Sequence, residues 1–258
     1  MDYQTIIIAE TDGYATITLN RPDVMNALNT QMRAELLHAI KAAEKSARAI
    51  VLTGAGKAFC SGQDLGDQAS VGSADLERTL RDEYMPMLRA IFDCTVPTIA
   101  AVNGPAAGAG ANLALAADVV IASESAVFLQ AFARIGLIPD AGGTYWLPRQ
   151  VGFARAMGAA LFAEPVSAAK AVEWGMIWEA VPDDEFEAHW QSRAAKLAGG
   201  PTVAYEHIKE ALRASYGNSL EEQLLLEAKL QGRSGKTRDF REGVLAFMEK
   251  RPAEYEGR

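Results

Sequence analysis

Short hydrophobic runs alternate with amphipathic stretches over the first 180 residues of the chain. Runs rich in β-branched residues occupy 5–9, 15–19, 49–53, 97–102 and 119–122. An Asp-Gly sequence separates the first two runs, which is typical of a β-hairpin. Between later runs, apolar residues recur at helical spacing. This alternation predicts an α/β fold with right-handed crossovers.

Capping residues and composition predict the helix boundaries. Asn29 or Thr30 can cap a helix that runs to about Ser46. Residues 111–117 have a helix-favouring composition, and a longer helix is predicted over 74–91.

The last part of the chain is predicted to be helical. A Gly-Gly-Pro sequence marks a boundary near residue 200. Three helix-like stretches follow, at 202–215, 219–231 and 237–250. We therefore predict a core over 1–200 and a C-terminal helical region over 201–258.

Composition and charge narrow the possible functions. With 258 residues, of which 49% are hydrophobic and 22% charged, the chain can bury a substantial core. A net charge of −8 argues against a nucleic-acid partner and against an anionic membrane surface. No uncharged apolar run is long enough to span a membrane. The N-terminal sequence also lacks the cationic region and apolar stretch that are typical of a signal peptide. Cys60 and Cys94 lie far apart with no Cys or His partner nearby, so we expect a protein of the reducing cytoplasm.

A turn of small residues is the centre of the candidate chemistry. From Gly104 to Ala111 every residue is Gly, Ala or Pro, between a predicted strand and a predicted helix. Such a turn admits another group close to the backbone, and the first N–H groups of the following helix have no partners within it. The stretch lacks the Lys of a phosphate-binding loop and the third glycine of a dinucleotide fingerprint. Close packing of the helix against a sheet is the alternative interpretation.

A second small-residue turn, Ser61-Gly62-Gln63-Asp64, follows the predicted strand at 49–53. Two such turns can point one backbone N–H each at a single oxygen. That pair is an oxyanion hole, in which each donor contributes about 3 kcal/mol of transition-state stabilisation.

Four sequence blocks resemble the crotonase family of enoyl-CoA hydratases and isomerases. They are the two turns, NRPDVMNAL at 20–28 and IPDAGGT at 138–144, and their order and spacing match over essentially the whole chain. The resemblance implies a crotonase-like spiral of repeated ββα units, homotrimers that often pair into hexamers, and an acyl-CoA thioester as substrate. It implies that the N–H groups of Gln63 and Ala109 bind the thioester carbonyl oxygen.

Asp140 has two competing interpretations. Its place ahead of a helix that continues toward Gln150 favours an N-cap, which would lower its pKa, whereas burial in an apolar pocket would raise it. Spacing alone ranks capping first. The resemblance reverses that order, because isomerases of the family commonly carry an acidic base at this position. Asp140 would then move a proton between two carbons and shift a double bond.

Two positions depart from the pattern of the family's hydratases. Hydratases use two glutamates, which align here with Asn112 and Phe132. Neither residue transfers a proton at neutral pH, and Phe132 would also displace water. We therefore expect an isomerase. Hydration or thioester hydrolysis by water near Asn112, and a thioester-binding protein in which Asp140 is only a cap, stay open.

The resemblance also implies where the CoA part binds. Met25 and Ala27 would line the path of the adenine and pantetheine, and Lys57 would lie near the CoA phosphates, with a solvated loop lysine as an equal alternative. The other predicted substrate-binding residues are Gly62, Asp64, Leu65 and Gly108 of this region, together with Asn112 and Phe132.

The C-terminal segment would complete the CoA site, and the resemblance implies that it does so next to a neighbouring subunit. Phe247 is one predicted contact, and Lys250 and Arg251 would supply the positive charge that the acidic chain otherwise lacks. A polar stretch that begins at residue 67 predicts a mobile loop over the site. No metal, flavin or nicotinamide motif occurs, so we predict an enzyme without a cofactor, the coenzyme A being part of the substrate.

Overall fold

The computed structural model describes residues 2–66 and 75–258. Its strands are β1 (Ile6–Thr11), β2 (Tyr14–Leu19), β3 (Ala49–Gly54), β4 (Thr98–Val102), β5 (Ala106–Ala107), β6 (Val119–Ser123), β7 (Val127–Leu129), β8 (Val166–Ser167) and β9 (Glu179–Val181). Its α-helices are α1 (Thr30–Ser46), α2 (Leu76–Thr79), α3 (Met85–Phe92), α4 (Ala109–Leu115), α5 (Gly143–Val151), α6 (Phe153–Phe162), α7 (Ala168–Glu173), α8 (Phe186–Ala198), α9 (Thr202–Ala214), α10 (Leu220–Ser234) and α11 (Arg238–Glu249).

The strands form two sheets between which the chain alternates. The larger sheet has the order β1-β2-β3-β4-β6-β9, and the smaller one has the order β5-β7-β8. β1 and β2 form the predicted antiparallel hairpin, and the other neighbours in the larger sheet are parallel. β4 is followed by β5 and α4, and β6 by β7 and α5, so one strand of each pair enters each sheet. The predicted α/β class is confirmed.

The larger sheet is covered by hydrophobic side chains on both faces. Ile50 and Leu52 of β3 pack in a cluster with Leu36 of α1, whereas Val51 packs in a second cluster with Trp190 of α8. Because successive side chains of a strand point to opposite faces, burial on both sides explains the continuous apolar run of β3.

Most predicted helix boundaries agree with the structure. The Asn29 side chain accepts a hydrogen bond of 2.8 Å from the N–H of Met32, so the predicted cap of α1 is confirmed. The helix predicted over 74–91 corresponds to α2 and α3, which a π-helical turn (Leu80–Tyr84) joins. α4 begins at Ala109, two residues earlier than predicted. The loop predicted from residue 67 lies outside the described residues.

The helices after residue 201 agree with the three predicted stretches, and α9 is fixed to the core by ionic contacts. The carboxylate of Asp118 binds Lys209 at 2.7 Å and Arg213 at 2.5 Å, and it accepts the N–H of Thr98 at 2.8 Å. Lys209 is buried. In the described parts of the chain, no helix is both long and apolar enough to cross a membrane. The division into 1–200 and 201–258 stays a prediction.

We expect Asp118→Asn to lower the free energy of unfolding by about 3 kcal/mol, because it leaves the buried ammonium of Lys209 without its counter-charge. Urea denaturation measures this change. Asp93→Asn is the matched control: its ion pair with Arg89 is exposed, so the expected loss is below about 1 kcal/mol. Equal losses in the two variants would contradict a role for Asp118 in fixing α9.

Candidate active site

The turn that contains Gln63 pairs with the segment before α1. The N–H of Leu28 donates to the carbonyl of Gly62 at 2.7 Å, and the carbonyl of Leu28 accepts the N–H of Asp64 at 3.1 Å. Successive N–H groups of an extended backbone point to opposite edges. The N–H of Gln63 therefore points away from Leu28.

The second turn lies on that opposite edge. The N–H of Ala107 donates to the carbonyl of Cys60 at 2.9 Å. A Cβ atom on Gly62, whose φ is +95°, would lie 2.8 Å from the carbonyl oxygen of Ala107 and 3.3 Å from the nitrogen of Ala109. Only a residue without a side chain permits this approach. The two turns predicted from the sequence are thus in direct backbone contact.

The N–H of Ala109 belongs to the first residue of α4, and such a group has no partner within its helix. The first amide of α4 to bond back is that of Asn112, which donates to the carbonyl of Gly108 at 3.2 Å. Among the described residues, neither Gln63 nor Ala109 donates its main-chain N–H to another protein atom. Two available amides therefore lie on adjacent turns.

Phe132 is buried beside the second turn. Its ring lies 3.7 Å from the position that a Cβ atom on Gly108 would take. An apolar ring therefore covers the backbone next to the N–H of Ala109.

Asn112 connects α4 to the loop that carries Asp140. Its side-chain amide donates to the carbonyl oxygen of Asp140 at 2.7 Å, and its side-chain oxygen accepts the amide of Gln130 at 2.8 Å. Asn112 is fully buried, and both polar atoms of its side chain have protein partners. It was predicted to bind substrate, but its contacts are those of a residue that supports the loop.

The competing interpretation of Asp140 as a helix cap is wrong. α5 begins at Gly143 after Gly142, and no side chain caps it. The carbonyl of Asp140, rather than its carboxylate, accepts the N–H of Gly143 at 2.8 Å. Oδ1 of the carboxylate is buried and has no hydrogen-bond partner among the described residues. Burial raises the pKa of Asp140 from 3.8 to about 6, which is the direction expected for a proton-transferring carboxyl group.

The residues predicted to line the CoA path lie beside the first turn. The carbonyl of Met25 accepts the N–H of Ser61 at 2.9 Å, and Met25 is 58% exposed while Ala27 is buried. Lys57 and Leu65 are exposed.

Asp64 forms an ion pair beside the first turn. Its carboxylate binds the guanidinium of Arg21 at 2.7 Å, and the same guanidinium donates to the carbonyl of Ala27 at 2.6 Å.

The predicted C-terminal contacts lie elsewhere within a single chain. Phe247 is 85% exposed on the wall of a groove of about 1080 Å³ between α9, α10 and α11, and no lining residue belongs to the two turns. Lys250 is exposed at the end of α11. Contact of either residue with an acyl-CoA, which the resemblance places next to a neighbouring subunit, stays a prediction.

The contribution of Arg251 to the CoA site stays a prediction, and within one chain this residue forms two ion pairs. Its guanidinium binds the carboxylates of Glu242 at 2.6 Å and Glu249 at 2.7 Å, and these two acids offset its charge.

Sequence reasoning missed two residues that contact the side chain of Gln63. Arg33 donates to Oε1 of Gln63 at 3.0 Å, and the hydroxyl of Tyr84 donates to the same oxygen. Arg33 lies three residues before Leu36 and seven before Ile40, on the apolar side of α1. A charged residue within an apolar stripe was the available signal.

Within residues 2–66 and 75–258, no group of three or more His, Cys, Asp or Glu side chains is arranged to hold a metal ion.

Comparison with known proteins gives the family. The model of the enoyl-CoA hydratase/isomerase family matches residues 9–258. A Rhodobacter capsulatus protein described as a probable enoyl-CoA hydratase is 62% identical over the full length of both chains. The 1,2-epoxyphenylacetyl-CoA isomerase of Escherichia coli is 46% identical over 95% of this chain and 96% of its own.

Solved structures of other proteins share the fold of this chain. The crystal structure of an enoyl-CoA hydratase from Bacillus anthracis has a TM-score of 0.94 to this chain at 32% identity, and the match covers 99% of this chain and 100% of that one. The crotonase-like fold expected from the resemblance is therefore confirmed. The chain belongs to the enoyl-CoA hydratase/isomerase family.

Proposed function

We propose that this protein is an acyl-CoA isomerase that uses two backbone amides and one carboxylate base. The carrying observation is Asp140, a carboxyl group with one buried, unpartnered oxygen and a raised pKa. Asn112 holds its loop one helical turn beyond Ala109. This link supports a proton-transferring group next to an oxyanion-binding group, the arrangement that a proton shift beside a thioester carbonyl requires.

The proposed reaction begins when the thioester oxygen accepts hydrogen bonds from the N–H groups of Gln63 and Ala109. Asp140 takes a proton from C2 of a 3-enoyl-CoA, and the electron pair of that C–H bond moves toward the carbonyl oxygen, which gives a dienolate. The two amides stabilise the negative charge on oxygen. Asp140 then returns the proton to C4, and the double bond lies between C2 and C3. No atom is gained or lost, so one acid–base group suffices.

Hydration is the second candidate, and the name of the Rhodobacter capsulatus relative favours it. Three features of the chain argue against it. The amide of Asn112 is occupied by Asp140 and Gln130, the buried Phe132 aligns with the other hydratase glutamate, and neither residue can activate water. Hydration, and likewise thioester hydrolysis, would depend on Asp140 alone.

We further propose 2-(1,2-epoxy-1,2-dihydrophenyl)acetyl-CoA as a substrate, as part of phenylacetate catabolism. The name of the Escherichia coli isomerase supports this proposal, since that relative matches almost the whole chain. The sequence over 132–181, which includes Phe132 and Asp140, also resembles that enzyme.

The decisive experiment compares wild type with Asp140→Asn on a 3-enoyl-CoA and on crotonyl-CoA. Wild type is expected to convert the first to the 2-enoyl-CoA and to hydrate the second poorly. Asp140→Asn should lower kcat for isomerisation by about 10²- to 10⁴-fold while acyl-CoA still binds, because only proton transfer is removed. Chromatography of the CoA products measures both reactions. Unchanged isomerisation in the variant, or hydration as the main reaction of wild type, would contradict the proposal.

A control variant accompanies this experiment. Asp184→Asn removes an exposed carboxylate and should leave activity unchanged.

The raised pKa of Asp140 also predicts how the stability of the variant depends on pH. Asp140→Asn should be about as stable as wild type near pH 4 and more stable than wild type above pH 6. The raised pKa means that ionised Asp140 opposes folding above about 6, and this cost disappears below the ordinary value of 3.8.

The pH dependence of the reaction follows from the same carboxyl group. Because the ionised form is the base, log(kcat/KM) should rise with a slope of about one below a pKa of about 6 and level off above it. Initial rates of isomerisation between pH 4.5 and 8.5 measure the profile. A profile that is already level at pH 4.5, as the ordinary pKa of 3.8 predicts, would show that Asp140 is not buried during catalysis.

We also propose a cytoplasmic homotrimer or dimer of trimers that requires no cofactor. Large apolar side chains that are at least 70% exposed support an interface: Ile138, Phe153, Phe162, Leu220, Phe247 and Met248. Light scattering in solution should give three or six times the mass of one chain. A monomer that is active without any added cofactor would contradict the assembly and leave the proposed chemistry intact.

A further inference from the structure

Arg33 has an unusual environment for a charged residue. It is 2% exposed, on the side of α1 that faces the core. Its guanidinium donates to the carbonyl of Leu28 at 2.7 Å, to Oε1 of Gln63 at 3.0 Å and to the hydroxyl of Thr30 at 3.0 Å. Leu28 and Gln63 are partners across the edge of the first turn. One buried cation thus holds both sides of that backbone pairing.

The π-helical turn Leu80–Tyr84 supplies the remaining partners. The carboxylate of Glu83 binds the guanidinium of Arg33 at 2.6 Å. The next residue, Tyr84, places its ring 4.9 Å from the centre of the same guanidinium, and its hydroxyl donates to Oε1 of Gln63. π-helical turns are often found at functional sites because they redirect side chains.

We propose that Arg33 and Tyr84 are positioning residues that fix the orientation of the main-chain N–H of Gln63. This inference rests on the proposed function, in which that N–H binds the thioester oxygen. Arg33 and Tyr84 both donate hydrogen bonds to the side-chain oxygen of Gln63. The main chain of Leu28 forms hydrogen bonds with the peptide groups on either side of Gln63. The peptide plane of Gln63 therefore cannot rotate without breaking hydrogen bonds on both sides.

Stability alone does not account for this arrangement. A buried ion pair such as that of Arg33 and Glu83 contributes little net stability, and apolar residues of similar volume are often as stable. What charged and hydroxyl donors provide is direction, which an oxyanion-binding amide requires. Burial raises the pKa of Tyr84, so its hydroxyl remains a donor throughout the neutral range.

The test compares two ligands in Tyr84→Phe and Gln63→Met. Acetoacetyl-CoA can bind as an enolate, which is detected by near-ultraviolet absorbance, whereas butyryl-CoA presents a neutral thioester. Each variant keeps the main-chain N–H at position 63 and removes at least one of the hydrogen bonds that the side chain of Gln63 accepts in wild type. In each variant we expect the preference for acetoacetyl-CoA over butyryl-CoA to fall about tenfold, while the affinity for butyryl-CoA stays within twofold of wild type. The kcat for isomerisation should fall about tenfold with little change in KM.

Tyr14→Phe is the matched control, because Tyr14 is also buried but packs edge-on against Trp190 in the second hydrophobic cluster, to which Tyr84 does not belong. It should change neither ratio. The double variant Tyr84→Phe with Gln63→Met should lose no more than the larger single loss, because both changes remove the same contact.

The outcomes separate this inference from the proposed function. Equal binding of the two ligands by wild type would contradict the oxyanion hole itself. A wild-type preference that persists in Tyr84→Phe and Gln63→Met would overturn only the positioning role, whether or not the variants are less stable. A parallel loss of affinity for both ligands would also overturn it, since that result indicates general damage to the binding site.

Discussion

The contact between two stretches of backbone, at Gly62 and at Ala107 to Ala109, is the constraint on which the site depends. β3 and β4 are parallel neighbours, so their carboxyl ends lie at the same edge of the larger sheet, and each is followed by one of the turns. Sheet topology therefore brings the turns together. The absence of a side chain at Gly62 then lets them touch.

Two groups of buried polar side chains support the parts of the site around this contact. Asn112 and Gln130 hold the loop of Asp140 against α4, whereas Arg33 and Tyr84 hold Gln63 from α1 and the π-helical turn. Each group uses polar atoms that are expensive to bury and satisfies most of them with hydrogen bonds. Oε1 of Gln130 and Oδ1 of Asp140 are exceptions among the described residues, and the second oxygen belongs to the group with the proposed chemical role.

Much of this arrangement could be predicted from the sequence because its signals are local. The hairpin, the cap at Asn29 and the small-residue turns each depend on a few consecutive residues. The errors and omissions arise where distant residues decide. An Asp ahead of a helix has the same local pattern whether it caps or is buried, and the contact with Asn112 that distinguishes the cases spans 28 positions. The bond from Tyr84 to Gln63 spans 21 positions and follows no local rule.

The loop before α5 is anchored through the carbonyl of Asp140, which accepts hydrogen bonds from Asn112 and Gly143, while the carboxyl group takes no part in that anchoring. Charge on the side chain can therefore appear and vanish without loosening the scaffold that carries it. A catalyst built in this way could cycle between its two ionisation states with no accompanying backbone rearrangement, so the speed of each turnover would not be limited by relaxation of the loop.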